Sequence, residues 1–189
     1  MSAALHDPIT LAGFLAWEER QELRYEFDGF QPLAMTCGTV AHDQITFNLR
    51  KARDASLTGK PCRPHGPNLQ VLVDGRARYP DAVVACRPLA PDATVIGDPV
   101  VVFEVLCDGT SKTDLIDKNR EYRATPSILL YVIPHQTHRA AISFVRRGEG
   151  WLSEIVVGGK ARLRLPEIEA VVCLDELYAG VDLPDDAGA

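Results

Sequence analysis

Hydrophobic positions along the chain follow two rhythms, one of helical spacing and one of alternation. Leu11, Phe14 and Leu15, with Glu18 and Glu19 following and Thr10 at the cap position, predict a short amphipathic helix over residues 10–21. Leu23-Arg-Tyr-Glu-Phe27 and the run 30–35 flank Asp28-Gly29, a hairpin signature. Ile45, Leu49 and Ala52 lie on one side of a second helix expected over 39–56, which Gly59 and Pro61 stop. Residues 61–67 read as loop or irregular edge. The runs 69–73 and 79–86 read as two strands around Asp74-Gly75, and 87–99, with three prolines, reads as loop.

The second half contains a continuous apolar run, Val100-Val-Val-Phe-Glu-Val-Leu106, of the kind found in a strand covered on both faces. A helix is expected over 111–124, a core strand over 127–133, and a strand pair over 138–145 and 151–157. A short helix near 174–178 closes the chain. Hairpins followed by strand–helix–strand predict a mixed α/β fold with a central sheet. No internal repeat or linker divides it, so residues 1–189 are expected to form a single domain, with its core at about 11–157 and a C-terminal extension over 158–189.

Composition adds limits. Hydrophobic residues make up 46% and charged residues 24%, which excludes a disordered chain or a coiled coil. No apolar run reaches the ~20 residues that span a bilayer, and the first residues lack a signal-peptide pattern, so a soluble cytoplasmic protein without membrane association is expected. The net charge of −6 argues against a generally basic nucleic-acid-coating surface but leaves room for a local basic groove. Five scattered cysteines without a C-x-x-C pair are expected to be reduced thiols.

Glu104 is the most informative residue. A carboxylate inside an apolar strand is costly to bury unless a cation, a hydrogen-bond network or an edge position compensates it. The bland alternative is a strand end dipping into solvent. Asp81 begins another apolar run, Asp81-Ala-Val-Val-Ala-Cys86. Two carboxylates on adjacent strands could hold a hard divalent cation. Cys62-x-x-His65 and His135-x-x-His138 have metal-like spacing, yet each offers only two ligands, and zinc is disfavoured. Trp151, beside Gly148-Glu-Gly150, reads as a hairpin aromatic packed on the sheet.

Tyr79-Pro-Asp-Ala-Val-Val-Ala85, Val101-Val-Phe-Glu-Val-Leu106 and Asp114-x-x-x-Lys118-x-x-x-Tyr122 together resemble the Uma-two family of restriction-endonuclease-like proteins, within the PD-(D/E)XK nuclease-like superfamily. Tyr25-Glu26-Phe-Asp28-Gly29, Ala41-His42 and Ser127-Ile-Leu-Leu-Tyr131 extend the resemblance over roughly residues 11–151. It implies a restriction-endonuclease-like mixed sheet flanked by helices, and a Mg²⁺- or Mn²⁺-dependent endonuclease acting on DNA. Asp81 and Glu104 would be catalytic metal-binding carboxylates, with the Val105 carbonyl a third oxygen ligand. Leu106 stands where the superfamily carries its lysine, and Lys118 would replace it from the next helix. Glu26 would be an additional carboxylate, and Asp114 and Tyr122 would share the helix face of Lys118. The ordinary alternatives are an exposed Asp114–Lys118 ion pair and a strand-edge Glu26.

The chain departs from the family pattern at Cys107-Asp108-Gly109-Thr110, at Leu130 and near His135. A different class of function is therefore also open: a catalytically degenerate fold-mate that binds nucleic acid or protein. A homodimer would let two sites reach two strands.

Overall fold

The computed structural model describes residues 9–35, 38–107 and 113–183, apart from the side chains of 53–56 and 114. The first half comprises α1 (Leu11–Glu18), β1 (Tyr25–Phe27), β2 (Pro32–Ala34), α2 (Val40–Leu57), β3 (Arg63–His65), β4 (Gln70–Val73), β5 (Arg76–Arg78), β6 (Ala82–Ala85), β7 (Val95–Ile96) and β8 (Pro99–Phe103). A π-helical segment (Thr113–Lys118) then runs into α3 (Asn119–Ala124). β9 (Leu130–Pro134), β10 (Ala140–Arg147), β11 (Gly150–Val157), β12 (Arg162–Leu165), β13 (Ala170–Cys173) and α4 (Leu174–Leu177) complete the chain.

The strands form a five-stranded sheet, β2-β1-β5-β4-β7, a six-stranded sheet, β11-β10-β9-β8-β6-β3, and the β12–β13 ribbon. Neighbours are antiparallel except β4 with β7 and β8 with β9. This is the mixed α/β architecture expected from the hydrophobic pattern.

Period-two alternation sorts the side chains into layers. On the five-stranded sheet, Phe27, Leu72 and Ala77 pack with Phe14 of α1. Val71 and Val73 face the other way, into a cluster with Val83, Val102 and Tyr131 of the six-stranded sheet and Tyr122 of α3. The far face of the six-stranded sheet places Val84, Val101, Phe103 and Val132 against Ile45 and Leu49 of α2. Leu163, Leu165, Val172 and Leu177 join that same cluster, so residues 158–183 are bound into the core by burial.

Several local expectations change. Asp74 and Gly75 both take positive φ, 46° and 73°, the backbone of a tight hairpin turn. The turn joins β4 to β5, however, rather than to the run 79–86. Pro80 has no N–H for a ladder, so that region breaks, and β6 leaves for the other sheet. Within 61–67, expected as loop or irregular edge, β3 forms a sheet edge. β12 and β13 were not anticipated.

Cys62 and Cys86 form a disulfide, which corrects the expectation of five reduced thiols. They sit one step beyond the Arg63–Ala85 pair of β3 and β6, so antiparallel register brings together two cysteines 24 residues apart. Cys107 and Cys173 remain thiols, and Cys37 lies outside the described residues.

Arg78, 1% exposed, joins the layers. From β5 it donates through Nε and Nη2 to both oxygens of Glu121 on α3, each at 2.8 Å, and through Nη1 to Glu26 Oε2 on β1 at 3.1 Å. Burial alone would lower its pKa. The Glu121 hydrogen bonds and the charges of Glu26 and Glu121 outweigh that and hold it above its ordinary value. Removing Arg78 would leave Glu121 paired with Arg76 alone and Glu26 with Lys118 alone, two buried carboxylates each short of a partner. Arg78→Met is accordingly expected to lower stability by about 3–5 kcal/mol. Urea unfolding should show a large drop in midpoint, and an unchanged midpoint would refute this role.

Candidate active site

The alternation that builds the core also aims charged side chains at one another. Tyr25 and Phe27 pack toward α1, so Glu26 between them points toward the six-stranded sheet. Val101, Phe103 and Val105 face α2, so Glu104 falls on the opposite face, toward α3. Lys118 and Tyr122 reach the same space from the helical segment.

Glu104 is 4% exposed, which excludes a strand end dipping into solvent. Its Oε1 accepts from Lys118 Nζ at 3.0 Å and from Tyr122 Oη at 2.6 Å. Lys118 Nζ also lies 3.2 Å from Glu26 Oε1. The ammonium is thus clamped between two carboxylates and is 6% exposed, which is incompatible with a solvent-facing i,i+4 pair.

Burial pushes the Glu26 pKa upward. Lys118, Arg78 and the Tyr79 amide more than offset this and hold it below the ordinary carboxylate range. Burial, reinforced by the Glu104 charge, pushes the Tyr122 phenol well upward, so it serves as a hydrogen-bond donor.

Asp81 stands one residue beyond the Ala82–Phe103 pair, as does Glu104, so they occupy opposing positions on neighbouring strands. Their side-chain partners differ: Glu104 bonds to the helical segment on one face of the sheet, and Asp81 reaches His42 of α2, which packs on the other. Asp81 Oδ2 accepts from the Val105 amide at 2.7 Å, and Oδ1 lies 2.9 Å from His42 Nε2 on α2. Thr39 caps α2 by accepting from the His42 amide, which fixes the helix start that presents the imidazole.

Glu104, Glu26, Lys118 and Tyr122 are therefore gathered in one cluster, and Asp81 adjoins it through the Val105 amide. The Asp114 side chain lies outside the described residues, as do residues 108–112. The regular helix expected over 111–124 is π-helical over 113–118, which changes the spacing on which a shared i,i+4 face depends. Sequence reasoning assigned no role to Arg78, Glu121 or the His42 imidazole. Alternation of Arg76, Ala77 and Arg78 beside a tight turn was the available signal for the first.

The donor set is compatible with a hard cation. Two carboxylates stand next to the ends of adjacent strands, and Mg²⁺ commonly takes one or two carboxylates while keeping several waters. A carboxylate has about four lone-pair sites, so the hydrogen bonds to Asp81 do not exhaust it. Among the described residues no group of three or more His, Cys, Asp or Glu side chains is arranged as a metal site, so waters and backbone oxygens would complete the shell. Zinc fares worse. Cys62 is committed to Cys86, and His135 and His138 stack with ring centroids 4.4 Å apart without a third ligand.

The sheets and their covering helices define a restriction-endonuclease-like fold. A crystal structure from Anabaena variabilis, described as a putative nuclease belonging to DUF820, superposes with a TM-score of 0.75 at 14% identity. The match covers 90% of this chain and 98% of that one. The sequence profile of the Uma2 family, described as "Putative restriction endonuclease", matches residues 11–175. The chain belongs to the Uma2 family. An uncharacterized protein of Synechocystis sp. is 28% identical over 172 residues, 89% of this chain and 90% of the relative.

The Glu26–Lys118–Glu104 clamp has a pH signature. Because the folded-state pKa of Glu26 is lowered, its contribution to stability is present above the unfolded value of 4.5 and is lost as pH falls through the folded value. Lys118→Met removes the first-named lowering charge and leaves burial opposed only by Arg78 and the Tyr79 amide. Acid unfolding of that variant should begin at higher pH than in the parent, with a loss of about 3 kcal/mol at neutral pH. Coincident stability–pH curves would contradict the clamp.

Proposed function

We propose that the chain is a Mg²⁺- or Mn²⁺-dependent endonuclease that hydrolyses DNA phosphodiester bonds. In this reading Asp81, Glu104 and the Val105 carbonyl hold the cation, and Lys118 acts at the scissile phosphate. The observation that carries it is Glu104: a buried carboxylate at the end of a core strand, hydrogen-bonded to a buried lysine and followed by an amide that donates to Asp81. The Uma2 family membership supports the same reaction class.

A bound divalent ion would polarise a phosphoryl oxygen and lower the pKa of a water. The remaining duties fall to the chain itself. Lys118 offers an ammonium already positioned, so it can donate to developing phosphate charge without reorganising. Glu26 restrains that ammonium from the side opposite Glu104, and Tyr122 fixes the Glu104 carboxylate by a short hydrogen bond. The Val105 amide and His42 orient Asp81 from two directions. Leu106 can supply no charge at the superfamily's usual lysine position, and Lys118, bonded to Glu104, is the cation we assign to that duty.

Cleavage of supercoiled plasmid and of single-stranded DNA in Mg²⁺, Mn²⁺ or EDTA tests the proposal. Metal-dependent cleavage is expected, with Asp81→Asn and Glu104→Gln each slower by at least about 10²-fold and Tyr122→Phe less affected. DNA binding without cleavage under any metal would instead indicate a binding module. Cleavage undiminished in Asp81→Asn would place the active site elsewhere.

A further inference from the structure

The face of the helical segment turned away from Glu104 borders a cavity of about 560 Å³ that the proposed chemistry does not use. Asn119, Arg120 and Arg123 line it from the helix, and Arg146, Glu149 and Trp151 from the β10–β11 hairpin. The Arg146 guanidinium carbon sits 4.5 Å from the Trp151 ring centroid and that of Arg123 sits 5.7 Å away. Arg146 is held rigidly: Nε donates to the Ile128 carbonyl, and Nη2 to the carbonyls of Arg123 and Thr125, at 2.9–3.0 Å. None of those acceptors is charged. Among the described residues neither Arg123 nor Arg146 lies in an ion pair, and Arg120 meets only Asp117, at 3.7 Å on the surface. With Glu149 as the sole carboxylate of the lining, the cavity has an excess of positive charge inside an acidic chain.

Asn119 supplies an independent sign of a missing partner. It is 7% exposed, yet its Oδ1 is buried without a hydrogen-bond donor among the described residues. A buried amide oxygen left unsatisfied costs about 1–3 kcal/mol. A small shift of this lining side chain would offer its oxygen beside the arginine-clad indole, which suits a ligand that has an N–H donor, a flat ring and a negative charge. A nucleotide has all three: exocyclic or imino N–H, a base that stacks on aromatic or guanidinium planes, and phosphate.

The placement fits a strand that continues from the proposed cleavage site. Ile142, Phe144 and Trp151 pack on the same face of the six-stranded sheet that carries Glu104. Arg146 lies two strands over and four residues along from the Glu104 level, a backbone separation of about 16 Å at normal strand spacing.

We infer that the Asn119–Arg123–Arg146–Trp151 cavity binds an unpaired nucleotide of a nucleic-acid strand, through base contacts to Asn119 and the arginine–indole platform and phosphate contacts to Arg120 and Arg123. This rests on the nuclease reading for the source of the strand, but its test does not require cleavage. The chain has two tryptophans, so Trp17→Phe leaves Trp151 as the sole indole reporter. That protein is titrated in EDTA with a mixed-sequence single-stranded 12-mer, the matching duplex, and polyglutamate of equal charge.

The expected result is a change in Trp151 emission with the single strand, at least about tenfold tighter than with duplex or polyglutamate. Arg123→Ala and Asn119→Leu should each weaken single-strand binding by about tenfold, and the solvent-exposed Arg123 makes its variant a safe one for folding. Equal affinity for polyglutamate would reduce the cavity to a general anion or acidic-protein site and overturn the inference. So would an unresponsive Trp151, or variants that bind like the parent. Nucleotide binding without metal-dependent cleavage would sink only the nuclease reading. Cleavage dependent on Asp81 with a silent Trp151 would sink only this one.

Discussion

The structure depends on a set of buried charges that satisfy one another across three layers. Glu26 and Arg78 come from one sheet, Glu104 from the other, and Lys118, Glu121 and Tyr122 from the helical segment between them. Each would be prohibitively placed alone, because an unpaired charge in a low-dielectric interior has lost its water and received nothing back. Together they form alternating positive and negative sites. Such a network is weak evidence for stability, since apolar replacements of the whole set can pack as well. Its effect here is to make register obligatory: a one-residue slip in β1, β5 or β8 would turn a charge into an apolar cluster.

The part of this network legible in the sequence was the part that violated a local rule. Glu104 interrupts a run of six apolar residues, and Asp81 opens another apolar run, so both could be singled out without neighbours in view. Lys118 required the family resemblance, because helical spacing alone cannot distinguish a buried lysine from a solvated one. Arg78 and Glu121 break no local pattern; their importance comes from meeting across 43 residues. The strands of the core were likewise readable from alternation and apolar runs, whereas sheet membership was not. The tight turn at Asp74-Gly75 was visible, but which strand followed it depended on Pro80 and on competition between two sheets. Arg162-Leu-Arg-Leu165 did carry an alternating pattern, and its partner Ala170–Cys173 is short enough to escape notice.

Charge distribution bears on how an acidic chain could take the polyanionic substrate proposed for it. Net charge governs long-range steering, while clefts present local fields of their own. Here much of the acidic excess faces solvent or is neutralised internally, and the guanidinium groups of Arg123 and Arg146 gather around Trp151. An enzyme built this way would release nonspecific duplex readily, with local rather than global attraction selecting where a strand rests.

The π-helical segment before α3 has a consequence for how the chain can vary over time. A π turn accommodates one residue more than an α turn and commonly persists where that extra residue serves a site. Loss of one residue between Thr113 and Asp117 would let the segment relax to α geometry and rotate everything upstream by about 100° relative to Lys118. Exchanges of side chain at exposed Ile116 leave that winding intact. Length, more than composition, is therefore the inherited quantity in this stretch: substitutions can accumulate there, whereas a single-codon deletion would shift Lys118 away from Glu104.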